Sequence, residues 1–198
     1  LVRIVTEGDV TRSSLTQLFG LGVFAAALRQ AVLDGRCDFA VHSMKDLPVA
    51  PVPGLQIAAV PRRANPFDVL CAREGLTLDE LPSGARIGSG SPRRVAQLRA
   101  IRPDLEFVDI RGNVGTRLAR VAPDDLDAVV LAAAGLQRLG MAEVATEVLP
   151  ILPAPGQGAL ALECRADDGA VLAALTDLDD AATREAVAAE RTVLALLG

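Results

Sequence analysis

The residues most able to do chemistry in this chain fall in three short segments. The first is Gly88-Ser89-Gly90-Ser91-Pro92-Arg93-Arg94. Ser91 is a good helix N-cap, and Pro92 suits the first helical position, where its missing N–H costs nothing. Free N–H groups at such a helix start attract an anion, and Arg93 and Arg94 add two permanent charges whose fork suits carboxylate or phosphate. No Gly-Lys-Ser/Thr follows, so the segment is not a phosphate-binding P-loop. Taken alone, it reads equally well as an anion site or as an ordinary capped helix with solvated arginines. The second segment, Asp109-Ile110-Arg111-Gly112-Asn113-Val114-Gly115-Thr116-Arg117, again leads from a strand pattern through a glycine-bearing turn to a helix. If the strands before the two segments are parallel in one sheet, both basic loops open on the same edge and converge. Four converging arginines repel one another without an anionic guest, so convergence favours the binding reading. Arg138, beyond the next strand and its short helix, can join them, although alone it reads as a charge at a helix C-terminus.

The third segment, His42-Ser43-Met44-Lys45-Asp46-Leu47-Pro48, lies on a loop leaving an apolar strand and holds the only histidine and the only lysine, against 19 arginines. Asp46 beside Lys45 is ordinarily a surface ion pair worth little. The alternative is a carboxylate placed in a cleft to stabilise a cation or move protons. His42 has no nucleophile to pair with and reads as a scaffold histidine. Cys37, Cys71 and Cys164 are widely spaced, with no C-x-x-C pair, so no metal site is expected and a reducing compartment is the default. Cys164, within the apolar stretch Ala159–Cys164, reads as an inert buried thiol.

The elements that must position these segments read as α/β. A strand is expected over Leu1–Val5 and an amphipathic helix over about residues 23–34, ending at Gly35. A short buried strand is expected at Asp38–Val41, with the loop beginning at His42. Strands follow near Leu55–Val60 and Val69–Ala72, joined by Pro61-Arg-Arg-Ala-Asn-Pro66, which reads as a domain crossover. Strand and helix then alternate: Arg86–Gly88, a helix over Ser91–Arg102, Phe107–Ile110, a helix over about Val114–Val121, Asp127–Ala132 and a helix toward Gly140. Ala159–Glu163 reads as a strand and 168–197 as one or two helices. The crossover units predict mainly parallel sheets, with ligands beyond the carboxyl ends of the strands.

Composition narrows the partners. The 198 residues are 51% hydrophobic and 23% charged with net charge −5, a globular balance that excludes a disordered or polycationic chain. The longest apolar runs, Phe19–Leu28 and Ala128–Leu136, fall far short of the ~20 residues of a membrane span. The first residues lack the pattern of a signal peptide, so a cytoplasmic location is expected. Residues 86–120 hold eight Arg against three acids, +5 locally, leaving −10 for the remainder. Nucleic acid is not an expected partner, because the whole chain is acidic, has no Trp or Tyr and has only five Phe for stacking.

Five strings, in order, resemble the porphobilinogen deaminase (hydroxymethylbilane synthase) family: Ala40-Val-His-Ser-Met-Lys-Asp-Leu-Pro, Ile87-Gly-Ser-Gly-Ser-Pro-Arg-Arg, Arg111-Gly-Asn-Val-Gly-Thr-Arg-Leu, Ala134-Gly-Leu-Gln-Arg-Leu-Gly and Pro155-Gly-Gln-Gly-Ala. The resemblance covers essentially all 198 residues. It implies a monomeric transferase of tetrapyrrole synthesis that condenses four porphobilinogen molecules head to tail, releasing ammonia, on a covalent dipyrromethane primer. By motif, Asp46 matches the catalytic aspartate that attends the pyrrole nitrogens. Ser43, Lys45, Ser89, Ser91, Arg93, Arg94, Arg111, Arg117 and Arg138 match groups that hold the acetate and propionate arms of cofactor and substrate, and Gln157 matches a glutamine lining the cleft. Many carboxylates need many fixed guanidinium groups, and a carboxylate offsets the cation left when ammonia departs.

The implied fold is α/β, with two domains resembling periplasmic binding proteins and the site between them. Residues 1–61 and 156–178 would form the first domain and 66–150 the second, with 181–198 the first helix of a third. The chain resembles the middle part of a longer family sequence. It is expected to lack the family's opening strand and the Gly-Gly-Cys turn whose cysteine tethers the primer, so it should not make product by itself. It also carries Gln17 and Leu21 in a glycine-rich loop where the family often has lysines. The rival reading is a non-catalytic carboxylate-binding module of the same architecture, in which Asp46 would be dispensable.

Overall fold

The computed structural model describes Val2, Ile4 and residues 23–197. The glycine-rich loop with Gln17 and Leu21 lies outside the described residues, as does the expected first strand apart from Val2 and Ile4. The chain divides into two compact units, residues 1–64 with 155–198, and residues 65–154. No described helix is long and apolar enough to cross a membrane.

In the first unit, helix α1 (Val23–Leu33) precedes strands β1 (Phe39–Ser43) and β2 (Leu55–Ala59). After the second unit, the chain returns with strand β8 (Leu160–Arg165) and helices α5 (Gly169–Thr176) and α6 (Ala181–Leu197). Strand β8 lies between β1 and β2 and is antiparallel to both. Among the described residues this sheet is therefore antiparallel, against the parallel expectation, because β8 comes from a distant part of the sequence and not from a strand-helix-strand crossover. Two local expectations also change. β1 runs on through His42 and Ser43, and it is buried on one side only: Ala40 and His42 face in, while Phe39 and Val41 are 41% and 50% exposed.

The second unit holds strands β3 (Asp68–Ala72), β4 (Arg86–Gly88), β5 (Glu106–Val108), β6 (Ala128–Ala132) and β7 (Glu147–Val148), with helices α2 (Pro92–Ile101), α3 (Val114–Leu118) and α4 (Ala133–Arg138). The sheet order is β5-β4-β6-β3-β7. β4 is parallel to both β5 and β6, as expected of crossover units, but β3 is antiparallel to β6 and to β7. Alternate residues of β6 enter two cores: Ala128 and Val130 pack with Leu70, Ile87 and Leu98, while Val129 and Leu131 pack with Val69, Cys71 and Ile110. A sheet covered on both faces needs such continuous apolar strands. Cys71 and Cys164 are buried, and burial raises the Cys71 thiol to about 11, so neither is a thiolate at neutral pH.

Candidate functional site

In the second unit, the parallel register of β4, β5 and β6 puts their carboxyl ends on one edge, and each continues into a loop or helix that carries a predicted site residue. Ser89 is buried, its N–H donates to Val108 O at 2.9 Å, and its Oγ accepts from Ser91 N at 3.3 Å. Ser91 is the N-cap of α2, with Pro92 at the first turn and its hydroxyl accepting from Arg94 N. The loop after β5 lies directly against this one: a Cβ added to Gly90 would stand 2.6 Å from Ile110 O and 3.2 Å from Asp109 Oδ1. The two basic loops converge, and the reason is the β4–β5 register.

The convergence does not leave every arginine available to a ligand. Asp68, fully buried at the start of β3, accepts from Arg94 Nε and Nη2 at 2.9 and 2.6 Å and from Arg93 Nη2 at 2.7 Å. Arg94 Nη1 also donates to Val130 O at 3.0 Å, and Arg93 Nη1 donates to Leu152 O. Arg94 is itself buried; burial pulls its guanidinium below the usual value and the Asp68 carboxylate opposes that pull. Because β3 runs antiparallel to β6, its first residue pairs with Ala132 at the carboxyl end of β6 and so reaches the arginine edge. Sequence reading missed Asp68. The available signal was an acid opening the otherwise apolar Asp68-Val-Leu-Cys-Ala, since a buried carboxylate requires a cationic partner.

The other three predicted site arginines of this unit are Arg111, Arg117 and Arg138. Arg111 is half-buried and its Nε is a buried donor with no acceptor among the described residues. Arg117 is half-buried, with Nε donating to Gly112 O at 2.8 Å across a turn that Asn113 caps through Thr116 N. Arg138 closes α4 and is exposed.

In the first unit, β1 ends at Ser43 and a single 3-10 turn, Met44–Asp46, presents Lys45 half-buried and Asp46 exposed. Lys45 Nζ donates to Gln157 Oε1 at 3.3 Å, and Gln157 is buried in the turn before β8. The structure thus joins Ser43, Lys45, Asp46 and Gln157 in one locality of this unit. His42 is a buried scaffold residue whose Nε2 stands 3.4 Å from Glu163 Oε2, a close contact without hydrogen-bond alignment. Burial alone would raise the Glu163 carboxyl; the His42 contact, the bidentate Arg29 pair at 2.9 Å and the Arg29 charge outweigh it and hold the group at about 2.

Comparison with known proteins matches the sequence to a family model. Residues 1–173 match the family model described as "Porphobilinogen deaminase, dipyromethane cofactor binding domain". The chain is 59% identical to the porphobilinogen deaminase of Leifsonia xyli subsp. xyli, with 98% of this chain and 61% of that protein covered. It is 58% identical to the porphobilinogen deaminase of Thermobifida fusca, with 100% and 63% covered. The chain therefore spans about three fifths of the length of these relatives. Among solved structures, a periplasmic substrate-binding protein of an ABC transporter from Coxiella burnetii aligns with a TM-score of 0.51 at 14% identity, over 82% of this chain and 79% of that one, a likeness of fold. The family-model match and the whole-chain identities place this chain in the porphobilinogen deaminase family.

Proposed function

We propose that this chain is the part of a hydroxymethylbilane synthase that holds the dipyrromethane cofactor and carries out head-to-tail condensation of four porphobilinogen molecules with release of ammonia. The observation that carries the reading is the unsatisfied buried donor of Arg111 at the edge where the β4 and β5 loops meet. A buried N–H without a partner costs free energy, and a carboxylate arm at that edge would relieve it. The groups present fit a guest with several carboxylates: Arg111, Arg117 and Arg138 supply cationic forks, Ser89 and Ser91 supply hydroxyls, and Arg93 and Arg94 contribute field while tied to Asp68. When bound, the dipyrromethane supplies the pyrrole end to which each new unit is joined.

In the first unit, Asp46 is the catalytic carboxylate. Its negative charge stabilises the positive charge that develops on a pyrrole as ammonia leaves, and it accepts hydrogen bonds from pyrrole N–H groups. Lys45 and Ser43 hold carboxylate arms, and Gln157 orients the Lys45 ammonium through its 3.3 Å hydrogen bond. On this reading residues 1–61 with 156–178 form the first domain, 66–150 the second, and 181–198 begins a third. The division of the chain near Ala64 and Ala154 supports the first two boundaries, and it groups 181–198 with the first unit. On the same reading the protein acts as a cytoplasmic monomer without nucleic acid or membrane partners; its net acidity bears on the nucleic acid alone.

The test is Asp46→Asn in the full-length protein. Porphobilinogen turnover should be nearly abolished, while the mass of the purified protein still shows the attached dipyrromethane. Near-normal turnover would overturn the assignment and favour a carboxylate-binding module.

A further inference from the structure

Helix α6 carries two adjacent residues whose charged heads hold the two loops of the first-unit site. Arg191 Nη1 donates to Leu47 O at 2.9 Å and Met44 O at 3.3 Å, and Nη2 donates to Pro48 O at 2.7 Å. These carbonyls flank Lys45-Asp46 on both sides. In the backbone, Leu47 N donates to Met44 O at 3.2 Å and Met44 N donates to Ala159 O at 3.1 Å, and the Arg191 fork adds contacts to carbonyls on both sides of Lys45-Asp46, where a short turn needs them against its conformational entropy. Glu190 Oε2 accepts from Gly156 N at 2.7 Å, and both Glu190 oxygens pair with Arg63, whose Nε donates to Gln157 O at 2.8 Å. The two loops also touch: Gly156 has φ +74°, and a Cβ there would stand 2.7 Å from Met44 Cγ, with Met44 fully buried.

The guanidinium of Arg191 is kept there at a cost. Burial and the charge of Arg29 both disfavour it, and Glu163 offsets them in part. A half-buried arginine whose hydrogen bonds all go to main-chain oxygens is arranged to hold backbone, since five donors in a rigid fork can fix several carbonyls at once.

We propose that Arg191 is a positioning residue for Asp46. Its guanidinium holds the carbonyls of Met44, Leu47 and Pro48, and the neighbouring Glu190 fixes the Gln157 turn, so that one helix sets the spacing of Asp46, Lys45 and Gln157. The proposal rests on the catalytic reading of Asp46 given above. Reactions between oriented groups are steep in geometry, so a loop released by a fraction of an ångström loses rate even when its residues are all present.

The experiment compares Arg191→Gln, Arg191→Lys and Asp46→Asn in the full-length holoprotein, measuring amide hydrogen exchange over residues 44–48, thermal midpoint, kcat and KM. In Arg191→Gln, exchange over 44–48 should speed up, and kcat should fall roughly 10- to 100-fold with KM little changed. Arg191→Lys should restore part of both, since an ammonium reaches fewer carbonyls than the fork. If Arg191→Gln does not fold, Arg191→Lys decides alone: faster exchange confined to 44–48 at a wild-type thermal midpoint supports the clamp. Wild-type exchange over 44–48 in a folded variant overturns it, as does a kcat loss that only follows the fall in thermal midpoint. If Asp46→Asn stays active, the catalytic reading of Asp46 fails, whatever the exchange shows.

Discussion

Arg93 and Arg94 share a carboxylate that is removed from water, and this separates them from Arg111. Asp68 has zero exposure, so taking away Arg94 removes two of the charge-assisted hydrogen bonds that compensate a buried carboxylate, while the Arg93 pair stays. Arg94→Leu should therefore destabilise the protein by about 1–3 kcal/mol, the cost of buried acceptors that lose their donors. Arg111, whose buried Nε has no partner among the described residues, answers differently. Arg111→Leu removes an unsatisfied donor, so stability should change little while cofactor content falls, and Lys should rescue poorly because a point charge cannot reproduce bidentate pairing. Thermal unfolding beside intact mass of the purified full-length variants reads both effects. Equal destabilisation by the two substitutions would show that the division is wrong.

At the scale of elements, the site of the second unit depends on two loops leaving parallel neighbours β4 and β5 at contact distance. Gly90 is where they touch. A methyl group there would meet the main-chain oxygen of Ile110 at 2.6 Å, and backbone cannot swing aside as a flexible side chain can. Gly90→Ala should push the loops apart, costing about 1–3 kcal/mol as an overpacked site and lowering cofactor content. Gly115 provides the control. It lies within α3, and its added Cβ would make only an ordinary 3.6 Å contact with Asn113 Oδ1. Gly115→Ala should be neutral or stabilising by up to about 1 kcal/mol, because alanine loses less backbone entropy in a helix. Denaturant melts of the two variants make the comparison, and a Gly90→Ala protein as stable as wild type would mean the loops can separate without strain.

For the whole molecule, the units differ in how the chain supplies them. The second is continuous, residues 65–154, and among the described residues its five strands pair with one another alone. The first is assembled from both ends of the sequence, and among the described residues β1 and β2 each pair with β8 alone. Expressed by itself, 65–154 should fold with a cooperative thermal transition, as a segment with its own core can. Residues 1–64 alone should not, since they lack the strand that joins their sheet and leave two open edges. Far-ultraviolet circular dichroism during heating distinguishes these outcomes. A cooperative transition for 1–64, or none for 65–154, would contradict this division of the core.

Much of the local structure was legible in the sequence. The Ser91-Pro92 helix start, the Gly35 stop, the strands at Arg86–Gly88 and Asp127–Ala132 and the convergence of the β4 and β5 loops all follow from capping, proline geometry and short-range periodicity, which act within a few residues. The motif strings identified the family for the same reason, since each is contiguous. Strand direction and partner choice were not legible. That β8 inserts antiparallel between β1 and β2 depends on residues more than a hundred positions apart finding one register, and no local pattern encodes it. Other long-range contacts bring Asp68 to Arg94, 26 residues away, and Arg191 to the carbonyls beside Asp46, about 145 away. The sequence by itself therefore determined the family and the motif strings that nominate the site residues. Only the tertiary structure decided which of the arginines are already engaged and which side chains hold the loops, because desolvation and hydrogen-bond partnership are properties of packed neighbours.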